Sequence, residues 1–176
     1  MESLESMFDT LSNITEIDLS NFDSSKVKTM SRMFCDCKDS EKIKFGKINT
    51  SSVENMYALF NGLSKLTSID ISNFDTSRVK TMSFMFSGCS NLKFLDLSNF
   101  ITSSMNQIDF MFQSCSSLIF LNLKSFKLDN SVVIDYIFNF ININVKYCTE
   151  NINLKNYISA NNHIESTCED ICLKKI

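Results

Sequence analysis

The stretch Ile69-Asp70-Ile71-Ser72-Asn73-Phe74-Asp75-Thr76-Ser77-Arg78-Val79-Lys80-Thr81-Met82-Ser83-Phe84-Met85-Phe86-Ser87-Gly88-Cys89 decides how the whole chain is read, because its pattern returns every 26 residues. The Met-Phe pair within it, or a close variant, stands at Met7-Phe8, Met33-Phe34, Leu59-Phe60, Met85-Phe86, Met111-Phe112 and Ile137-Phe138. An uninterrupted period in the tens of residues marks stacked units, each of which buries its apolar side against its neighbours.

Other columns keep the same spacing. Ile17, Ile43, Ile69, Leu95 and Leu121 form one, and Leu19, Phe45, Ile71, Leu97 and Leu123 another two residues on. Phe22, Ile48, Phe74, Phe100 and Phe126 form a third, Val27, Val53, Val79 and Met105 a fourth, and Met30, Met56, Met82, Ile108 and Ile134 a fifth. Side-chain size varies along each column and polarity does not, as a packed interior requires.

Two local structures follow from the spacing inside one unit. Across Ser68–Ser72 apolar and polar residues alternate, which predicts a short strand with one face buried. From Val79 the apolar positions are Val79, Met82, Met85, Phe86 and Cys89, a three-to-four spacing that predicts a helix of about three turns. Asp75, Thr76 and Ser77 are candidates for its amino-terminal cap. The expected fold is therefore α/β: a leucine-rich-repeat solenoid with short parallel strands on the concave face and helices on the convex face. It would hold about five full repeats plus a degenerate one, in residues 1–144, with 145–176 as the degenerate last repeat and carboxyl-terminal cap. Ile152-Asn153-Leu154 is the candidate for a last irregular strand at the sheet end.

The residues Leu92-Lys93-Phe94-Leu95-Asp96-Leu97-Ser98-Asn99-Phe100, with the stretch quoted first, fit the pattern LxxLDLSNFDTSxVxxMxxMFxGCxxL. In this the chain resembles the BspA-like leucine-rich-repeat surface proteins, over residues 4 to about 144. The second unit departs from the pattern, with Lys44, Gly46 and Lys47. The resemblance implies an extracellular adhesion or recognition module at the cell surface or secreted, with host or cell-surface proteins as partners.

Composition agrees with a folded array. The 176 residues are 44% hydrophobic and 21% charged, with net charge −3, three glycines and no proline, so nothing reads as an interdomain linker. No basic stripe recurs on one face, which argues against a nucleic-acid surface. The acidic opening Met1-Glu2-Ser3-Leu4-Glu5-Ser6 does not read as a signal peptide, and no apolar run approaches a membrane span. The chain opens in mid-unit, so a fragment of a longer chain, or a truncated gene, is the expectation.

Cys37, Cys89 and Cys115 share a column with Leu11, Leu63 and Ile141, so their thiols are expected as small core hydrophobes. Cys35 lies off that column and is expected on the helix surface. Cys148, Cys168, Cys172 and the single histidine, His163, lie where the repeat decays. A capping disulfide, unremarkable thiols and a zinc site all remain open there.

No Ser/His/Asp or Cys/His set, glycine-rich phosphate loop or histidine-carboxylate cluster is present, so no enzyme, cofactor or metal is implied. Asp18, Asp70, Asp96 and Asn122 stack in one column, where alternate strand residues facing water are ordinarily polar, and calcium is the alternative reading. Asn21, Asn73 and Asn99 are expected to form a ladder that satisfies turn backbone groups. Asn13-Ile14-Thr15 and Asn49-Thr50-Ser51 match the glycosylation sequon. Binding falls to the solvated strand wall, with Phe94 and Phe120 as anchors on adjacent strands and Asp70, Asp96 and Asn122 beside them. Phe84, Phe110 and Tyr136 make a second aromatic column, packed between helices or exposed as a convex patch. The function expected is non-catalytic protein binding in a surface adhesion protein, with an intracellular protein-interaction scaffold as the alternative.

Overall fold

The computed structural model describes residues 1–142 and 144–160. Its elements are β1 (Glu16–Asp18), β2 (Lys42–Lys44), β3 (Phe94–Asp96), β4 (Phe120–Asn122), β5 (Lys146–Cys148) and α1 (Ile152–Ala160). β1 and β2 pair in parallel, with Ile17 opposite Ile43; β3, β4 and β5 form a second parallel sheet, with Leu95 opposite Leu121 and Leu121 opposite Tyr147. Every partner is 26 residues away, so the repeat of the sequence is also the register of the backbone.

Residues 68–72, expected as a strand, fall between the two sheets and join neither. The break follows the unit whose sequence departs most from the others. Gly46 has φ +56°, and a Cβ there would meet the Ser20 Cα at 2.4 Å, so this unit is drawn tightly onto the one before it.

The expected convex helices are absent, and the opposite wall of each unit is a run of tight turns. Alternate amides of the unit from Met82 to Cys89 have different partners. Met82, Phe84, Phe86 and Gly88 donate to the carbonyls of Gln107, Asp109, Met111 and Gln113 in the next unit, at 3.0, 3.0, 2.9 and 2.8 Å. Met85, Ser87 and Cys89 instead donate three residues back, to Met82, Phe84 and Phe86, each at 3.1 Å. An α-helix would turn every amide inward to the residue four before it. Here half of them hold the neighbouring unit. The alternation requires a left-handed residue at one corner of each unit, and Ser6, Arg32, Ala58, Phe84, Phe110 and Tyr136 all have φ between 51° and 60°. A second left-handed column follows four residues later, at Thr10, Asp36, Gly62, Gly88, Ser114 and Phe140. Either column alone would stop a right-handed helix.

The inward side chains of both walls form one apolar core running from Leu4 to Ile158. Phe8, Phe34, Phe60, Phe86, Phe112 and Phe138 stack along it, with successive ring centroids 5.4 to 6.0 Å apart and interplanar angles of 9° to 28°. Cys37, Cys89 and Cys115 are free, buried thiols beside them, in contact with the carbonyls of Phe8, Phe60 and Phe86. Burial pushes the Cys115 thiol up to about 12. Cys35, expected on a helix surface, is also buried and free: with no helix present, its position on the turn wall points it at Asn61 of the next unit.

Asp75, Thr76 and Ser77 do not cap a helix. The buried Thr76 hydroxyl donates to the carbonyl of Ile101 at 2.9 Å and accepts its amide at 2.8 Å. Ser24, Thr50 and Thr102 grip Asn49, Asp75 and Lys127 in the same way. Asp75 accepts the amide and hydroxyl of Ser77 at 2.9 and 2.7 Å. The last unit is closed by α1, and Ile152-Asn153-Leu154, expected as a strand, is its first turn. Asn151 is the reason: its Oδ1 accepts the amides of Asn153 and Leu154 at 3.0 and 3.1 Å, an amino-terminal cap. Leu154 and Ile158, four apart on one face, are the buried residues of α1. Cys148 is buried and disulfide-bonded. The expectations for His163, Cys168 and Cys172 lie outside the described residues.

Phe86 is fully buried between two ring neighbours, whereas Phe94 stands on the outer strand face. Phe86→Ala is therefore expected to cost about 3 to 5 kcal/mol through cavity formation, and Phe94→Ala less than about 0.5 kcal/mol. Urea melts of the two variants that rank in the opposite order would contradict this assignment of faces.

Candidate binding surface

The strand wall is shaped by its sheets, because alternate residues of a strand point to opposite sides. Ile17, Ile43, Leu95 and Leu121 turn into the core, which leaves Glu16, Lys42, Phe94 and Phe120 on the outer face, followed by Lys146 of β5. Phe94 is 48% exposed and is the direct register partner of Phe120, which is half-buried and in turn pairs with Lys146. The sequence thus brings these two rings onto adjacent strands.

The polar residues expected beside them have a different environment. Asp70 Oδ1 accepts the amide of Ser72 at 3.1 Å and its hydroxyl at 2.7 Å. Asp96 Oδ1 accepts the Ser98 amide at 2.9 Å, and Asn122 Oδ1 the Lys124 amide at 3.1 Å. Each side chain thereby bridges the turn that follows it, a local motif short polar residues favour. Asn122 is only 8% exposed, while Asp70 and Asp96 are exposed. Bonds from Ser20 and Ser72 hold the Asp18 and Asp70 carboxyls below the usual carboxylate range. Glu16 raises Lys44, with which it forms a cross-strand ion pair.

Asn73 and Asn99 supply the ladder between units. Asn73 Nδ2 donates to the Gly46 carbonyl at 3.0 Å, and Asn99 Nδ2 to the carbonyls of Ile71, Ser72 and Phe74 at 3.2 to 3.3 Å. Ser125 continues the column, donating to Leu97 and Phe100. Among the described residues no group of three or more histidine, cysteine or carboxylate side chains is placed to hold a metal ion.

The second aromatic column is a continuous stack on the turn wall. Tyr57, Phe84, Phe110 and Tyr136 follow one another at centroid distances of 5.7, 4.7 and 5.1 Å, with Phe84 and Phe110 half-buried and Tyr136 exposed. The sequence shows the column Phe84, Phe110 and Tyr136, but not that Tyr57 beside Ala58 extends the stack, nor that the three column residues sit at left-handed corners, since nothing in an aromatic residue signals that backbone conformation.

The serine-bound carboxylates set an acid limit on stability. A carboxyl depressed in the folded state stabilises it above the unfolded value near 3.8 and loses that contribution as pH falls through the folded value. The urea midpoint is expected to hold from pH 7 to about 5 and to fall below about 4, with a shallower fall in the triple variant Asp18→Asn/Asp70→Asn/Asp75→Asn. An equally steep acid fall in that variant would place the acid sensitivity elsewhere.

No curated protein and no solved structure matches the chain. One family model does, in two overlapping stretches, residues 2–119 and 36–151, which together take in every unit of the stack and both aromatic columns. By that match the chain belongs to the family described as Mycoplasma protein of unknown function, DUF285.

Proposed function

We propose that the chain is a non-catalytic protein-binding module, a leucine-rich-repeat solenoid of BspA-like kind that serves adhesion or recognition at a cell surface. The observation that carries this reading is the contrast between its columns. Inward positions exchange one apolar residue for another, whereas the outer strand column runs Glu16, Lys42, Ser68, Phe94, Phe120 and Lys146. Chemistry is free to vary there because no packing depends on it. An exposed phenylalanine in register with a second one is an anchor of the kind that dominates protein interfaces.

A mildly acidic chain with its lysines dispersed among inter-unit ion pairs favours protein over nucleic acid as the partner. Among the described residues no helix is long and apolar enough to cross a membrane. The disulfide at Cys148 supports an oxidising compartment, in which such bonds persist.

Two measurements test the reading. Surface biotinylation of intact cells should label the full-length product, and a purely cytosolic product would leave the intracellular scaffold in its place. Beads coated with the chain should adhere to target cells through proteins removable by protease, and Phe94→Ser/Phe120→Ser should lower adherence about tenfold with an unchanged melt. Equal adherence of that variant would remove the strand wall from binding.

A further inference from the structure

The turn wall of the last units carries exposed aromatics and carboxylates at the end of the ring stack, away from the strand wall. Tyr136, at the end of the ring column, is 57% exposed, and Phe140 is 73% exposed. Both occupy left-handed corners, φ 54° and 55°, joined by a turn in which the Asn139 amide donates to the Tyr136 carbonyl. Inside the column the stacking of rings accounts for aromatic residues at such corners. Phe140 is in none of the ring pairs found among the described residues, so stacking does not account for it.

Beside the rings stand Asp109 and Asp135, one unit apart in the same column. Four carboxylates of the earlier units meet a cation of the adjacent unit: Glu2 with Lys28 at 3.4 Å, Asp9 with Arg32 at 2.9 Å, Asp39 with Lys65 at 2.8 Å and Glu54 with Lys80 at 2.7 Å. Asp109 accepts the Ser83 hydroxyl, and neither it nor Asp135 forms an ion pair among the described residues. Like charges in adjacent units repel, and a cation brought between them relieves that repulsion.

We infer that this wall is a docking surface for an arginine- or lysine-bearing polypeptide segment of a partner protein. The cationic heads lie at Asp109 and Asp135, and the side-chain stems and neighbouring apolar residues run along Phe110, Tyr136 and Phe140. Arginine suits the site best, since its planar guanidinium bonds carboxylates in pairs and stacks on aromatic rings. The chain contains its own example: Arg32, in the same column as Phe84, bonds Asp9 through both Nε and an Nη, at 3.1 and 2.9 Å. An extended segment fits better than a small polycation, because the apolar strip continues past the carboxylates to Phe140.

The test uses the full chain and a fluorescently labelled hexa-arginine peptide, followed by anisotropy at moderate and high salt. Binding is expected that weakens with salt and that Asp109→Asn/Asp135→Asn reduces about tenfold. Tyr136→Ser/Phe140→Ser is expected to reduce it by a similar factor with the urea midpoint retained. Glu5→Gln/Glu41→Gln, which removes the same charge elsewhere, and Phe94→Ser/Phe120→Ser, on the strand wall, are expected to leave it unchanged. Absence of binding, equal binding of hexa-glutamate, or equal losses in the two charge-neutralised variants would overturn the proposal. None of these outcomes bears on the strand-wall reading, whose test stands separately.

Discussion

The structure depends on a division of labour among backbone amides. On the turn wall every second amide bonds the next unit and the others close tight turns within their own. Buried backbone polar groups must find partners, and this arrangement supplies them without a helix. It also makes the period rigid. A residue added to one unit would exchange outward-bonding for turn-closing amides across that wall. The isolated parallel bridges from Ser3 to Thr29, Asn55, Thr81, Gln107 and Val133 keep the 26-residue step throughout. On the approach to the last unit the hydroxyl grip ends: Leu128, one period after Thr102, has no hydroxyl, and the units are joined there by the Nδ2 groups of Asn151 and Asn153, which donate to the Leu128 carbonyl at 2.9 and 3.2 Å. The side chains change there, while the requirement that the carbonyl be satisfied does not.

What was legible in the sequence was whatever burial alone determines. The apolar columns, the phenylalanine stack, the thiols at Cys37, Cys89 and Cys115 and the asparagine ladder at Asn73 and Asn99 all follow from side chains facing the same surroundings in each unit. The spacing of Val79, Met82, Met85, Phe86 and Cys89 predicts a helix that the structure lacks, because that spacing satisfies two geometries. Consecutive tight turns bring every third residue to the same side about as well as a helix brings every third or fourth. Only the backbone separates the two, and the clue to it was small: glycine at positions 62 and 88, one period apart, both left-handed. Cys35 differs from its expected surface position for the same reason, since no helix is there to turn it outward. The grip of Ser24, Thr50, Thr76 and Thr102 is hidden in the sequence because a short polar side chain before an apolar run reads first as a cap.

Left-handed backbone is uncommon for residues other than glycine, and for bulky ones it costs roughly 1 to 2 kcal/mol each. Phe84 and Phe110 meet that cost within the molecule, since ring pairs at 4.7 and 5.1 Å contribute about 0.5 to 1.5 kcal/mol each beyond their buried area. The earlier units, with Ser6, Arg32 and Ala58 at the same corner, show that the fold does not require an aromatic there. The column is thus an addition to the framework in the later units, and its exposure grows toward Tyr136.

The same reasoning limits which residues of the strand wall can carry the proposed recognition. Asp70, Asp96 and Asn122 each commit the Oδ1 to the turn that follows. A partner seeking that oxygen would compete with a local bond already made, at a net gain smaller than an open acceptor offers. Phe94 and Phe120 have no such obligation. Their backbone groups belong to the parallel ladder, their inward neighbours Leu95 and Leu121 fill the core, and the rings themselves bond nothing that holds the fold. Stability rests on the inward residues of each three-residue strand and the proposed binding on the outward ones, so the outward column is free to differ from unit to unit while the inward one is not.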